Sequence, residues 1–267
     1  MKLCVAGIGV WSPSIGSWPA LRARLLGSAS AISPAGVPAA GLPPAHWLPA
    51  AERRRATTGT RVVLSVAEEA LTQAGFDAAV TPSVFTSSAG SPETTDPICA
   101  QIAGGDTQIS PIRFHNSVHN AAAGYYSIAV GCRESSTSIA AHDASAAAGL
   151  LEAAAQLDDR GGPLLFVSFD VPYTGSLVAA RPIAEPWAIA LALLPSPAAA
   201  LATLDLSLRT ATAEEARCAD PHLEFLRTGN PTARLLPLLR VIAGGTSQRV
   251  TLVLPTGGSL AIDVTSC

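Results

Sequence analysis

Charged residues are scarce in this sequence, and lysine is almost absent. Only 14% of the 267 residues are charged, and the net charge is −3. Lys2 is the only lysine among 17 basic residues, which indicates a coding bias toward arginine. A net charge this small argues against binding to nucleic acid or to an anionic membrane surface. Because 48% of the residues are hydrophobic, we expect a large core and surface that a partner covers.

Long apolar runs and paired cysteine motifs are also missing. No apolar run reaches the roughly 18 residues that would span a bilayer, so we expect no membrane span. The cysteine count is five, and no C-x-x-C motif occurs. The opening MKLCVAGIGVWSP resembles a strand more than a signal peptide, which predicts reduced thiols and a cytoplasmic protein. The Gly-Gly pairs have turn contexts, none forms a phosphate loop, and no cofactor is expected.

Apolar strand patterns alternate with amphipathic helix patterns along the chain, which predicts an α/β layered sheet with parallel crossovers. The expected strands are 2–9, 83–88, 137–141, 164–169, 188–194 and 201–208, followed by a hairpin around Pro-Thr-Gly-Gly at 255–258. The expected helices are 18–26, 61–74, 118–131, 144–157, 221–226 and 232–242, with a helical turn at 97–103 and a long loop at 27–50. Gly75 and Ser117 are expected helix caps.

The stretch SIAAHDASAAAG, residues 138–149, predicts a strand, a tight corner and an alanine-rich helix. Strand-to-helix corners often carry a nucleophile in α/β enzymes, but here the corner residue is Asp143. An aspartate at a helix start favours a capping role, with a covalent or acid/base role as the alternative. Ser145 lacks the flanking glycines of a serine hydrolase motif.

Two further polar groups are candidates for chemistry. His115 and His119 are four residues apart, as zinc ligands on a helix can be. No cysteine or glutamate accompanies them at ligand spacing, so a polar network is expected and no metal site is predicted. Asp170 ends the strand pattern LLFVSFD, where α/β sheets place functional groups. A single carboxylate there is weak support for a site.

The order of three segments resembles the N-terminal half of a β-ketoacyl synthase of the thiolase fold. ISPIRFHNSVHNAAAGYYSIAVG, residues 109–131, is similar to the family's segment before the nucleophile, with Ser110, Pro111, Asn120 and Gly124 at its characteristic positions. STSIAAHDASAAAG resembles the nucleophile strand and helix, and PLLFVSFDVP resembles the strand that follows. The phrase FHNSVHNAAAGYYSIA is especially similar to ketosynthase-like proteins of aryl polyene and xanthomonadin-type pathways.

The resemblance implies a thiolase-like layered fold, mainly the N-terminal half of a ketosynthase, with a C-terminal β-hairpin. Residues 1–200 would form the ketosynthase-like domain. Residues 201–267 would be a shortened extension, packed on the same domain and made of a strand, helices and the hairpin.

Two departures from the family pattern bear on catalysis. The family's nucleophilic cysteine falls on Asp143, and His222 is the only histidine after His142. The family's two catalytic histidines and its lysine have no counterparts, although decarboxylative condensation needs a thiolate and groups that stabilise an enolate. The resemblance therefore implies a non-catalytic subunit of the chain-length-factor type. It would form a heterodimer with a full-length β-ketoacyl synthase and meet acyl carrier protein through that complex.

The same resemblance implies a set of residues that face the partner's acyl tunnel or the interface. Phe114 would be a steric stop in that tunnel, or alternatively a plain core residue. The candidate residues are Ile98, Ile102, Ile112, Arg113, Phe114, His115, Asn116, His119 and Asn120.

Two other functions stay open at this level. Asp143, with His142 and Ser145, could hydrolyse or decarboxylate an acyl thioester, which would need a pocket above the corner and a raised carboxylate pKa. Alternatively, the chain could be a scaffold subunit without influence on product length.

Overall fold

The computed structural model describes residues 1–27, 40–211, 213–254 and 257–267. Within these ranges the chain forms one mixed sheet of eight strands, in the order β3-β2-β4-β5-β1-β6-β8-β7. The strands are β1 (Lys2–Trp11), β2 (Ser83–Thr86), β3 (Ser136–Ile139), β4 (Leu164–Asp170), β5 (Trp187–Leu194), β6 (Ala202–Arg209), β7 (Gln248–Val253) and β8 (Ser259–Ser266).

Helices flank the sheet on both faces. They are α1 (Trp18–Leu25), α2 (Ala50–Arg55), α3 (Thr58–Ala74), α4 (Pro92–Ala103), α5 (Pro111–Ser117), α6 (Ala121–Val130), α7 (Ser145–Arg160), α8 (Pro221–Gly229) and α9 (Leu236–Gly244). Short 3-10 helices lie at Ala78–Val80, His142–Ala144, Gly175–Val178 and Thr232–Leu235.

Only the β3-β2-β4 side of the sheet is parallel. β2 pairs in parallel with β3 and β4, whereas the pairings from β4 through β5, β1, β6 and β8 to β7 are antiparallel. The expected parallel crossovers are therefore restricted to this side, where α7 connects β3 to β4. The mixed α/β layered fold expected from the sequence is confirmed.

The core has two halves, one on each face of the sheet. α3 and α6 pack on one face, and α1, α7, α8 and α9 pack on the other. The close packing of α3 depends on glycine, since a Cβ atom at Gly7 or Gly9 would collide with the backbone of Ala70 or Val66. The Glu69 carboxylate on the same helix accepts the backbone N–H of Val10 at 2.9 Å. These contacts join β1 to α3 at the centre of the fold.

The region before the nucleophile corner differs from its prediction. The helix expected over 118–131 is α6, which begins later, at Ala121. A separate helix that the sequence did not predict, α5, precedes it and ends at Ser117, and Val118 is extended. The capping role predicted for Ser117 is wrong, since its hydroxyl donates to the Phe114 carbonyl at 2.8 Å. Pro111 occupies the first helical turn, where its missing N–H costs nothing. The left-handed cap predicted at Gly75 is confirmed, with φ of 70°.

The C-terminal hairpin extends the sheet. β8 pairs antiparallel with β6, and β7 pairs with β8, so the predicted hairpin is confirmed as part of the sheet. Two residues of its predicted turn, 255 and 256, lie outside the described residues, as do residues 28–39 of the predicted long loop. At the outer edge of β7, the N–H of Ala216 donates to the Thr251 carbonyl at 3.1 Å. This segment covers part of an edge that would otherwise be open to association.

Candidate functional site

The corner between β3 and α7 is a tight turn that a serine hydroxyl holds together. His142 has φ of 52°, a left-handed conformation that is uncommon for a residue with a Cβ atom. Ser145, 1% exposed, donates its hydroxyl proton to the His142 carbonyl at 2.7 Å and accepts the N–H of Ala141 at 2.9 Å. These two bonds satisfy backbone groups that the turn cannot pair otherwise. Ser145 therefore has a structural role.

Asp143 is bound by two arginines and caps no helix. Its Oδ1 accepts Arg181 Nη2 at 2.8 Å, and its Oδ2 accepts Arg234 Nη2 at 3.2 Å. α7 begins after Ala144 without any side-chain cap, so the predicted capping role is wrong. Partial burial disfavours the charged carboxylate, but the Arg181 hydrogen bond and the charges of Arg234 and Arg181 together lower the pKa of Asp143.

The same Arg181 side chain also fixes His142. Arg181 Nη1 lies 2.8 Å from His142 Nε2. Because a guanidinium only donates, this Nε2 is an acceptor and the imidazole proton is on Nδ1. Nδ1 lies 3.5 Å from Asp143 Oδ1. Both ring nitrogens of His142 therefore lie close to charged partners.

The arginine contacts continue into the C-terminal part of the chain. Arg234 Nη1 lies 3.0 Å from a carboxylate oxygen of Glu215, which in turn lies 2.6 Å from Arg227 Nη1. Arg227 also pairs with Glu224 at 2.7 Å. We call Asp143, Arg181, Arg234, Glu215 and Arg227 the corner network. It links Asp143 to residues beyond 200 through charge pairs.

The environment of the corner is unfavourable to acid/base catalysis. The hydrolase alternative needs a raised carboxylate pKa, whereas the pKa of Asp143 is lowered. It also needs a pocket, and none of the five main concavities on the described surface is lined by His142, Asp143 or Ser145.

Asp170 lies at the end of β4, as predicted, and is completely enclosed at 1% exposure. Its carboxylate accepts the Ser88 hydroxyl at 2.6 Å, the Ser88 N–H at 2.8 Å and the Thr232 hydroxyl at 3.0 Å. Burial raises the pKa of Asp170, and these hydrogen bonds oppose that rise. Asp170 thus joins the loop after β2 to the 3-10 helix at Thr232–Leu235.

The two histidines before the corner do not share a helix face. His115 lies in α5 and stacks edge-on against Tyr125, with ring centroids 5.7 Å apart. His119 lies between α5 and α6, and its Nε2 is 3.0 Å from the Ser87 carbonyl oxygen. In the described ranges, no group of three potential metal-binding side chains occurs.

The tunnel and interface candidates are divided between core and surface. Ile98 and Asn116 are buried, whereas Ile102, Ile112 and Phe114 are exposed. Phe114 is 62% exposed, so its interpretation as a plain core residue is wrong. Arg113, His115 and Asn120 are also exposed, and His119 is half-buried. Several of these residues are thus exposed on α4 and α5.

The sequence did not predict Arg181, Arg234, Glu215 or Arg227 as members of the corner network. Their partners within the network lie 12 to 91 residues away in the sequence. Sequence separations of this kind leave no periodic or motif signal.

In the part of the chain that the structure describes, no helix combines the length and the apolar composition that a membrane span needs.

Comparison with known proteins identifies the family. Residues 29–234, well over half of the chain, match the family described as "Beta-ketoacyl synthase, N-terminal domain". No protein of curated function matches the sequence.

Several solved structures share the fold. A ketosynthase (ApeO) in complex with its chain length factor (ApeC) from Xenorhabdus doucetiae matches with a TM-score of 0.74 and 21% identity, over 98% of this chain and 99% of that chain. The ishigamide ketosynthase/chain length factor matches with a TM-score of 0.69 and 14% identity, over 100% and 99% of the two chains. A β-ketoacyl synthase from Burkholderia phymatum STM815 matches with a TM-score of 0.70 and 11% identity, over 100% and 99%. At these identities the likeness concerns the fold, and it agrees with the sequence match: the chain belongs to the β-ketoacyl synthase N-terminal domain family.

Proposed function

We propose that this chain is a non-catalytic subunit of the chain-length-factor type. It pairs with an active β-ketoacyl synthase and supports elongation of a polyene or fatty-acid-like chain on acyl carrier protein, in an aryl polyene type of pathway. We propose that residues 1–200 form the ketosynthase-like domain and that residues 201–267 form its shortened C-terminal extension. Two of the similar structures are ketosynthases with their chain length factors, which makes this class of partner the natural one to test.

One observation carries the proposal: the nucleophile position holds an ion-paired carboxylate. Asp143 is bonded to Arg181 and Arg234 at 2.8 and 3.2 Å. A carboxylate held ionised between two guanidinium groups is a weak nucleophile and a weak base. His142, the adjacent imidazole, accepts from Arg181. Acyl transfer through this corner would require these ion pairs to break.

The surface of the chain supports a pairing role. β3 is the terminal strand of the sheet, and in the described part of the chain no strand pairs with its outer edge. Unpaired strand edges are sites of strand addition or association. Large exposed apolar side chains are concentrated in the segment that precedes β3, namely Ile102, Ile112, Phe114, Val118 and Ile128. Exposed apolar groups of this kind are typical of protein–protein interfaces.

The proposed non-catalytic role of this chain, and the catalytic role of its ketosynthase partner, are tested with purified proteins. The chain, a full-length ketosynthase from the same gene neighbourhood, and the two together are each incubated with acyl- and malonyl-loaded acyl carrier protein. We expect no condensation by the chain alone and full elongation by the pair. Asp143→Ala in the chain should leave elongation by the pair intact. Condensation or thioester hydrolysis by the isolated chain, lost on Asp143→Ala, would refute the proposal.

A further inference from the structure

A groove with mainly apolar walls lies between α2, α5 and α6. Its volume is about 600 Å³, within the range of about 300–1,000 Å³ that is usual for small-molecule sites. Its apolar walls come from Trp47, Leu48, Pro49, Pro111, Ile112 and Ile128. In the isolated chain the groove is open, although Ile112 and Ile128 also belong to the surface proposed above for the ketosynthase partner.

The groove continues into a second concavity of about 480 Å³ that is lined with arginines. The two share Arg55 and Ile112, and the second adds Arg61 and Arg113. Arg61 donates to the Pro43 carbonyl at 3.0 Å, and a carbonyl contact leaves its charge uncompensated. Arg113 has no ion pair or hydrogen bond within the described residues.

Two acidic side chains also line these concavities. Glu52 lies 3.6 Å from Arg55, and both side chains are about half exposed, so this pair is screened by water. Glu93 accepts the backbone N–H of Thr58. The two concavities thus hold the guanidinium groups of Arg55, Arg61 and Arg113 and the carboxylates of Glu52 and Glu93. Within the described residues, Arg113 is the arginine with neither an ion pair nor a hydrogen bond. The potential at this end of the groove favours an anion.

The walls are held in place before any ligand arrives. The Asn116 amide donates to the Arg55 carbonyl at 3.2 Å and joins α5 to α2. His115 packs edge-on against Tyr125, and Trp47 packs against Tyr126 with centroids 6.0 Å apart. A preformed site avoids part of the entropy cost of binding.

We propose that this groove binds an amphipathic anion. The apolar chain would lie between Trp47, Ile112 and Ile128, and a carboxylate or phosphate head would contact Arg55 and Arg113. Guanidinium groups bind both heads through paired N–H donors. This site goes beyond the proposed function, because it requires neither a ketosynthase partner nor the nucleophile corner.

The experiment uses the isolated full-length chain and three probes: dodecanoate, dodecyl phosphate and dodecanol, each below its micellar concentration. Binding is measured by calorimetry and by tryptophan fluorescence, since Trp47 lines the groove. We expect the two anions to bind at least about tenfold more tightly than the alcohol, because hydrogen bonds to charged groups are strong. The tighter of the two anions identifies the preferred head group.

Variants separate the site from general surface adsorption. Arg55→Ala combined with Arg113→Ala should remove the preference for anions, and Ile128→Gln should weaken all three probes by about fivefold through lost apolar contact. These side chains are exposed, so the fold should survive, which a thermal melt checks. Arg209→Ala, another exposed arginine on β6, is the matched control and should change nothing. Equal binding of alcohol and anions, equal loss in the control, or no binding at all would overturn the proposal.

Discussion

Arg234 Nη2 lies 3.2 Å from Asp143 Oδ2, although 91 residues separate the two in the sequence. The contact joins the corner between β3 and α7 to the 3-10 helix at Thr232–Leu235. Arg234 also pairs with Glu215, so the carboxylate is one member of an alternating chain of charges. We interpret Asp143 as a structural anion whose position is fixed by Arg181 and Arg234.

A double-mutant cycle with Asp143→Asn and Arg234→Gln should show a coupling free energy of about 1 kcal/mol at pH 7. The value is modest because the Asp143 side chain is 43% exposed and solvent screens the pair. The folded-state pKa of Asp143 is lowered, so its contribution is fully present above the unfolded pKa of about 3.9. It should be lost as the pH falls through the folded-state pKa.

Urea unfolding of the four proteins at pH 7 and at steps below pH 4 measures this coupling. Arg133→Ala serves as the control, because Arg133 is exposed and has no ion pair in the described part of the chain. A coupling that is absent at pH 7, or that grows on acidification, would contradict the ion-pair account.

Asp143→Cys should create a reactive thiol without creating a condensing enzyme. Arg181 and Arg234 would stabilise the thiolate, as cationic neighbours lower thiol pKa values. Alkylation by iodoacetamide at pH 7, followed by peptide mass spectrometry, should be faster at position 143 than at the exposed Cys99. Cys218, whose pKa burial raises to about 12, should react least.

Condensation should nevertheless stay absent in the Asp143→Cys chain, since the Nε2 atom of the adjacent His142 is already paired with Arg181. Elongation of malonyl-loaded carrier protein by this variant alone would show that the corner had kept its catalytic surroundings.

Ser145→Ala should lower the free energy of unfolding by about 2 kcal/mol. The substitution leaves the N–H of Ala141 and the carbonyl of His142 without their partner at a buried site. Ser127→Ala is the matched control, because the Ser127 hydroxyl only donates to a carbonyl within its own helix. We expect the control to change stability by less than about 0.5 kcal/mol. If both substitutions lower the free energy of unfolding by the same amount, Ser145 does not hold the corner together.

Phe114→Ala should change the length of the product made by the assembled pair, and not the stability of the isolated chain. Phe114 is 62% exposed, so little packing is lost in the monomer. Phe225 in α8 is 60% exposed, and Phe225→Ala provides a control of the same chemistry on another helix. Mass spectrometry of carrier-bound products measures the outcome. If both variants give the parent product length while the complex still assembles, the chain is a scaffold.

Local patterns were enough to predict most of the fold. β1, β4 and β5 are mostly apolar along their length, which predicts strands buried on both faces. The buried residues of α3 recur at helical spacing, and Gly75 ends the helix. α2 and α5 were missed because proline-rich neighbours and short length hide helices of six and seven residues. The antiparallel half of the sheet follows from long-range pairing, which no local pattern encodes.

The candidate site was predicted less completely. The sequence indicated the corner and Asp143, but the preference of aspartate for helix starts suggested a cap. In the structure, Arg181 and Arg234 bind the Asp143 carboxylate, so it caps no helix. Arg181 and Arg234 reach Asp143 only because β5, β6 and the C-terminal helices bring distant segments together. Interactions of this kind are properties of the tertiary structure.

Native mass spectrometry of the chain co-expressed with a full-length ketosynthase tests the central claim most directly. The proposal predicts a one-to-one heterodimer that survives purification. It also predicts that Phe114→Glu disrupts this heterodimer and that Phe225→Glu does not. A stable monomer of this chain that never co-purifies with the ketosynthase would contradict the proposed function.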